Sequence, residues 1–420
     1  MAQPHDPGAS RLTHVARLYW SWNATRSGVY QGWWLLTSFS MVADAHLDAQ
    51  QLLIIAATQG VGSILMELPA GVIADVMSRK WSLVIFHALR ATAMITAGLF
   101  PAFWPLLLAN TLNGISWTFS SGADIAWITD EINDEKAITR ILTGGMQAAL
   151  LGSAVGMVAA GLVGAIAGRL TTMVGAGVVM ALLGVLVAVF FPEHGFQGTP
   201  HRPFQQAGRV LLDGWHTTRH DPVLMTRHDP VLMLLLGITV LANGAFDSIG
   251  RIYPLRLEQL GFPTSTTGTL WWTDLGISGL LIGTACTRLI TRRIGTDRSA
   301  STTLMLALAV GFVSCLLLAL GQGLPAGVAG TLLFTGVAAV LVGNITTLWV
   351  NRRANSASRA TVHSFFGQAE YLGEIVCAAA LAAFSLGADT AFLISGGLFL
   401  LAGLMAMRGA RRDQVGPPLT

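Results

Sequence analysis

The chain has 420 residues, of which 53% are hydrophobic and only 11% charged, with a formal net charge of +3. Soluble proteins carry about 25% charged residues, so a soluble protein of this length would lack the polar side chains to cover its surface. Membrane residence resolves the imbalance, because lipid tolerates apolar surface. The basic residues form short clusters between apolar runs, which is a topology signal and not a nucleic-acid surface.

Apolar runs of about 20 residues, the length of one membrane crossing, fall at 17–42, 50–74, 81–101, 104–127, 139–167 and 170–191, then at 231–257, 268–290, 300–320, 325–350, 360–385 and 389–408. The polar N-terminus, Met1 to Arg17, lacks a short apolar core with a small-residue cleavage site, so the first run is expected to be a span and not a cleaved signal. Short separators such as Asp44–Gln50, Pro101–Pro105, Gly321–Pro325 and Gly387–Thr390 divide the runs. One separator is long, 192–230, and it leaves six spans on either side. The pattern predicts an all-α membrane protein of twelve transmembrane helices: a six-helix bundle over 1–191, a cytoplasmic linker over 192–230, and a second six-helix bundle over 231–420. Cys286, Cys315 and Cys377 lie inside apolar runs without metal or redox spacing and read as small buried hydrophobes.

Charge orients the map. With the N-terminus inside, all of the 25 Lys and Arg residues except Arg26, Arg90, Arg169, Arg251 and Arg256 fall in cytoplasmic segments. Arg169 sits in an outer loop and Arg256 near one. This is the positive-inside pattern, and it places both termini in the cytoplasm of a cell (plasma or inner) membrane protein. Within the linker, Thr218–Met225 and Thr226–Met233 both read TRHDPVLM. A tandem duplication in a loop is inexpensive; a two-copy binding element is the functional alternative.

After the second span the chain reads Glu67-Leu-Pro-Ala-Gly71-Val-Ile-Ala-Asp75-Val-Met-Ser-Arg79-Lys80. Gly71 would let another helix approach closely. Asp75 lies one turn on, at the same face. A carboxylate at a helix C-terminus is unfavourable with the helix dipole and requires a partner, and Arg79 and Lys80 suit the anionic inner leaflet. An acid that locks helices together in one state is a gate latch. The string resembles the loop 2–3 signature of the major facilitator superfamily, G-x-x-x-D-R/K-x-G-R/K-R/K, with Val76 and Ser78 as departures. The segment Ser121-Gly-Ala-Asp124-Ile-Ala-Trp-Ile-Thr-Asp130-Glu131 is similar to a form found in drug-efflux-like members. The resemblance implies alternating access about a central cavity. In the second half Thr287 stands where the acid would be, so an equivalent latch is not expected there.

Gly152, Gly156, Ala160 and Gly164 repeat every fourth position in span five, and Gly276, Gly279 and Gly283 mark span eight. Such small-residue faces allow close helix packing. In the family these two helices meet, so the two faces are expected to form one sliding interface. The span-five run resembles an antiporter signature, with Met157 in place of its Pro. Asn110, followed by Asn113, stands where family antiporters often carry a proton-linked Arg.

Charges inside spans are costly, roughly 2.5–3.5 kcal/mol each on insertion scales, and usually face a cavity or a partner. They are Arg26, Glu67, Arg90, Asp124, Asp247, Arg251, Asp274, Glu370 and Glu374. Arg26 could bind an anionic substrate or hold an acid such as Glu67. Asp247 and Arg251 are spaced to pair on one helix face. Glu370 and Glu374 share that spacing, and two like charges in a cavity suit proton coupling. The leading expectation is a secondary active transporter exporting a small amphipathic compound by proton exchange. Uptake or symport of a small metabolite, including an anionic one read by Arg26, is the alternative. An integral-membrane enzyme or a transporter-derived sensor is a third class. No nucleophile–base set, metal cluster or phosphate loop is present in the sequence, so no enzyme activity, cofactor, metal or nucleic acid is expected. The expected partners are a small-molecule substrate, protons and the bilayer, and the chain is expected to act as a monomer.

Overall fold

Apolar runs bounded by Pro, Gly and charged residues become helices in the computed structural model, which describes residues 7–132, 134–196, 229–291, 297–353 and 359–412. The first half holds α1 (Pro7–Ala43), α2 (Ala49–Val76), α3 (Arg79–Leu99), α4 (Phe103–Ser120), α5 (Ala123–Glu131), α6 (Glu135–Ala167) and α7 (Arg169–Phe190). The second holds α8 (Pro230–Gln259), α9 (Thr266–Thr291), α10 (Asp297–Leu320), α11 (Leu324–Leu332), a π-helical segment (Leu333–Ala338), α12 (Ala339–Arg353), α13 (Arg359–Ala383) and α14 (Ala388–Arg412). Read with α5 as the broken end of α4, and α11 to α12 as one pass, these are the twelve helical passes expected. Among the described residues, eight are by length and composition apolar enough on their own to cross a membrane. Polar residues lower the hydropathy of others: α1 carries Arg17 and Arg26, and α13 carries Glu370 and Glu374. Most of the linker, including the first TRHDPVLM copy, lies outside the described residues.

By contact the chain forms two compact units. Unit 1 comprises residues 1–44, 65–207 and 265–273; unit 2 comprises 45–64, 208–264 and 274–420. A division at the linker would assign 45–64 and 265–273 the other way.

In unit 1, α1 lies along α6 and α3 lies along α7. Lipid tails are as apolar as leucine, so close packing and hydrogen bonds, more than hydrophobic transfer, hold membrane helices together. A Cβ built on Gly156 would stand 2.0 Å from the Gly28 carbonyl oxygen, and one on Gly152 would stand 2.0 Å from that of Ala24. Only glycine permits this approach. The small-residue stripe of α6 therefore packs on α1, and Gly32 extends the contact to Ala160. On α9, Gly279 and Gly283 face Thr335 and Val340 of unit 2. Within unit 1, Gly161 and Gly164 also lie against Thr273 and Thr269 at the start of α9.

In unit 2, α10 packs on α14, and α8 packs on α13 and α14. Gly373 brings α13 onto the backbone of α8, where a Cβ would stand 2.1 Å from the Val240 oxygen. Asp229 caps α8, accepting hydrogen bonds from the N–H groups of Val231 (2.9 Å) and Leu232 (3.3 Å), with Pro230 in the first turn. Asp229 also pairs with Arg353 at 2.7 Å. The π segment sets Phe334 against Phe246 and Tyr253.

Candidate functional site

The break between α4 and α5 creates the charged centre of unit 1. Gly122 adopts φ +80°, a left-handed conformation that costs other residues about 1–2 kcal/mol. The chain restarts as α5 with Asp124 in its first turn, where a carboxylate is favoured by the helix dipole. Asp124 accepts a hydrogen bond from the Ile125 N–H (2.8 Å) and faces Arg26 of α1 at 3.4 Å. Arg26 also donates to Ser120 Oγ and to Asn23 Oδ1, both at 2.8 Å, and its guanidinium lies 4.1 Å from the Trp22 ring. The acid that holds Arg26 is thus Asp124 and not Glu67, because the helix break turns Asp124 toward α1. Glu67 keeps one carboxylate oxygen, Oε2, buried without a hydrogen-bond partner.

Arg90 of α3 lies beside this pair and differs from it. It is 2% exposed, yet among the described residues no carboxylate pairs with it. Its Nε donates to Ser116 Oγ (3.0 Å) and its Nη2 to the Asn113 carbonyl (3.4 Å). The guanidinium sits 4.4 Å from the Tyr30 ring, 4.7 Å from Phe86 and 5.8 Å from Trp117. The Phe86 ring also lies 5.7 Å from the Arg26 guanidinium, so one aromatic ring neighbours both cations. Desolvated cation–π contacts contribute about 2 kcal/mol each. They hold the charge without neutralising it. Arginine has five N–H donors, and two of those of Arg90 are used. Asn113 Oδ1 is buried and unpartnered nearby in sequence, while Asn110 donates back to the Leu106 carbonyl of its own helix (2.8 Å). His87 accepts from Trp22 Nε1 (2.8 Å) and faces Met180 Sδ at 3.1 Å, so both ring nitrogens are engaged in packing.

A second charged group lies at the α2–α3 turn. Asp75 pairs with Arg79, and Arg79 also reaches Asp130 at 3.5 Å. Ser78, a departure from the family signature, is the N-cap of α3. It accepts from the Trp81 N–H (2.9 Å) and donates to Glu193 (2.6 Å), which also accepts from the Lys80 N–H (3.1 Å). Glu193 thus occupies the positive end of α3. Glu131 accepts from the Gly195 N–H (3.0 Å), which ties α5 to the segment after α7. At Gly71 a Cβ would meet no atom of the described residues within 4 Å.

Unit 2 holds the remaining embedded charges. Arg251 pairs with Asp247 at 3.4 Å and donates to Gln59 Oε1 at 3.0 Å. Glu374 lies within Coulombic range of Asp247, Arg251 and Glu370. Glu370 also lines a cavity of about 330 Å³ with Thr239, Asn243, Thr346, Thr347 and His363. Thr239 Oγ1 is buried there without a partner. In the second half, Asn344 donates to Thr287 Oγ1 at 3.0 Å.

Sequence reading missed Phe86, Glu193, Asn243 and His363. Glu193 follows a proline and gave no signal. Asn243 stands four residues before Asp247 on the same helix face, a spacing that could have found it. Among the described residues no cluster of metal-ligating groups occurs.

The family model described as Major Facilitator Superfamily matches residues 28–378. No curated protein matches the chain in sequence. Solved structures share the fold at low identity. The nucleoside transporter NupG is 14% identical with a TM-score of 0.68, over 94% of this chain and 98% of that one. The peptide transporter POT in complex with sulfate is 13% identical with a TM-score of 0.70, over 95% and 94%. A bacterial homolog of the human lysosomal transporter Spinster, inward-facing and unoccupied, is 14% identical with a TM-score of 0.66, over 99% and 100%.

Proposed function

The chain belongs to the major facilitator superfamily of membrane transporters, and from that premise we propose that it is a proton-coupled exporter of small amphipathic organic anions working by alternating access. The observation that carries the substrate class is Arg90, a buried guanidinium with aromatic neighbours and no carboxylate partner among the described residues. An organic anion supplies the missing charge, and its apolar body suits Tyr30, Phe86 and Trp117. Arg26, already neutralised by Asp124, positions the cluster. The resemblance of the Ser121–Glu131 segment to drug-efflux-like members supports export.

A ligand shifts a conformational equilibrium only by its differential affinity for the two states. Substrate binding at Arg90 would supply that difference on one side. Protonation of the Asp247, Glu370 and Glu374 group would supply it on the other, because removing one of three clustered negative charges relieves their repulsion. Asp75, Arg79 and Asp130 form the latch that favours one state. Both termini and the linker lie in the cytoplasm of the cell membrane in this reading, and the chain acts as a monomer. Uptake or symport of a small anionic metabolite would use the same Arg90 in the opposite direction.

Matched pairs of aromatic carboxylic acids and their methyl esters test the substrate class in proteoliposomes. The acid should be transported in preference to the ester, and Arg90→Gln should erase that preference. Equal transport of acid and ester by the wild type would refute the anionic substrate.

A further inference from the structure

We infer that the end of unit 1 where α1 and α6 begin carries a binding site for one anionic phospholipid of the adjacent leaflet. A cavity of about 370 Å³ opens there between the two helices, lined by Arg17 and Arg140 with Leu12, Trp20, Ala137 and Ile141. Among the described residues neither arginine makes an ion pair or a hydrogen bond, although both sit on helices that are otherwise tightly packed. The packing fixes the cavity. Trp20 Nε1 donates to the Ile141 carbonyl at 2.9 Å, and a Cβ on Gly144 would stand 2.7 Å from the Trp20 ring. The walls are therefore rigid, and the two cations project from neighbouring turns into one space.

Helix length places this space at headgroup level. At about 1.5 Å per residue, α1 with 37 residues is about 55 Å long and α6 with 33 residues about 50 Å. The hydrocarbon core is about 30 Å thick, so the first turns of both helices project beyond it. Asp134 caps α6 by accepting from the Lys136 N–H (2.9 Å) and the Ala137 N–H (3.2 Å), which keeps Arg140 on an ordered turn. Trp20 is the residue type that favours the membrane–water interface. An apolar floor with two cations at its rim fits an acyl chain below and a phosphate above, and basic pockets between helices at this depth recruit anionic headgroups. A soluble anion would gain only the rim.

The test is binding of fluorescent phosphatidylglycerol and phosphatidylcholine to the full-length protein in detergent micelles. The wild type should prefer phosphatidylglycerol by roughly ten-fold or more, two cations acting together. Arg17→Ala/Arg140→Ala should lose that preference, whereas Arg17→Lys/Arg140→Lys should retain most of it, which separates charge from folding. Arg288→Ala/Arg408→Ala, an equal loss of charge elsewhere, should retain it fully. Unchanged phosphatidylglycerol binding in the double alanine variant would overturn the site. So would an equal loss in the Arg288/Arg408 control. Displacement of the lipid by inorganic phosphate at equal concentration would also overturn it, by showing an anion site without a lipid requirement.

Discussion

Arg26 and Asp124 stand 98 positions apart in sequence and 3.4 Å apart in space, brought together by a helix that stops at Ser120 and restarts at Ala123. The break is what allows the pair. In an unbroken α4 the acid would continue around the helix, and its carboxylate would lack both the Ile125 N–H and the helix N-terminus that stabilise it.

Removing one partner of a buried ion pair is more damaging than the pair is stabilising, because the remaining charge is left unpaired. The pair is only partly buried, so Asp124→Asn is expected to lower stability by at most about 3 kcal/mol, read as a lower melting temperature in detergent. The double variant Arg26→Gln/Asp124→Asn should recover much of that loss. A double variant as unstable as the sum of the singles would show that the two residues do not interact.

α1 and α6 meet backbone to backbone at Gly28 and Gly156. Gly156→Leu inserts a branched side chain where even a Cβ overlaps backbone, so α1 and α6 must separate. The expected cost exceeds the roughly 1–3 kcal/mol of ordinary overpacking, since backbone cannot swing aside as a side chain does. Gly175→Leu, at a position with open space around it, should be tolerated. Thermal unfolding of the two variants, compared side by side, checks this.

Asp75 is 61% exposed at its side chain, and its partner Arg79 keeps Asp130 when Asp75 is lost. An exposed pair one helical turn apart contributes about 0.3–0.5 kcal/mol. Asp75→Asn should therefore insert and melt like the wild type while turnover falls several-fold. Unaltered turnover in a normally folded variant would remove Asp75 from the latch.

The second TRHDPVLM copy supplies Asp229, which caps α8 and pairs with Arg353. Deleting either copy leaves the same sequence, and the copy that remains restores the cap. The eight-residue deletion is expected to retain wild-type transport and stability. Asp229→Ala in the deleted chain should cost about 1–2 kcal/mol through the lost cap. Loss of transport in a stable deletion variant would give the duplication a function of its own.

The fold was largely legible in the sequence, because a bilayer demands uninterrupted apolar length and the span count follows from it. Helix ends were less so: α1 begins at Pro7 and α6 at Glu135, earlier than the apolar runs, since turns outside the hydrocarbon need caps more than hydropathy. The individual charged residues were legible for the same reason that they are rare in spans. Their pairings were not. Asp247 and Arg251 share a helix, so spacing alone proposed their bond. Arg26 and Asp124 depend on a left-handed glycine whose effect is local and leaves no periodic trace. Phe86 gave no signal either, because an aromatic between two cations looks in sequence like any other core residue.

Transport of aromatic carboxylates in proteoliposomes with and without an imposed pH gradient, by the wild type and by Glu374→Gln, is the decisive measurement of proton-coupled anion export. Proton-coupled export requires gradient-driven accumulation by the wild type, and in Glu374→Gln a loss of that drive with substrate–substrate exchange retained. Wild-type transport that is insensitive to the gradient, or gradient-driven accumulation that survives in Glu374→Gln, would contradict it.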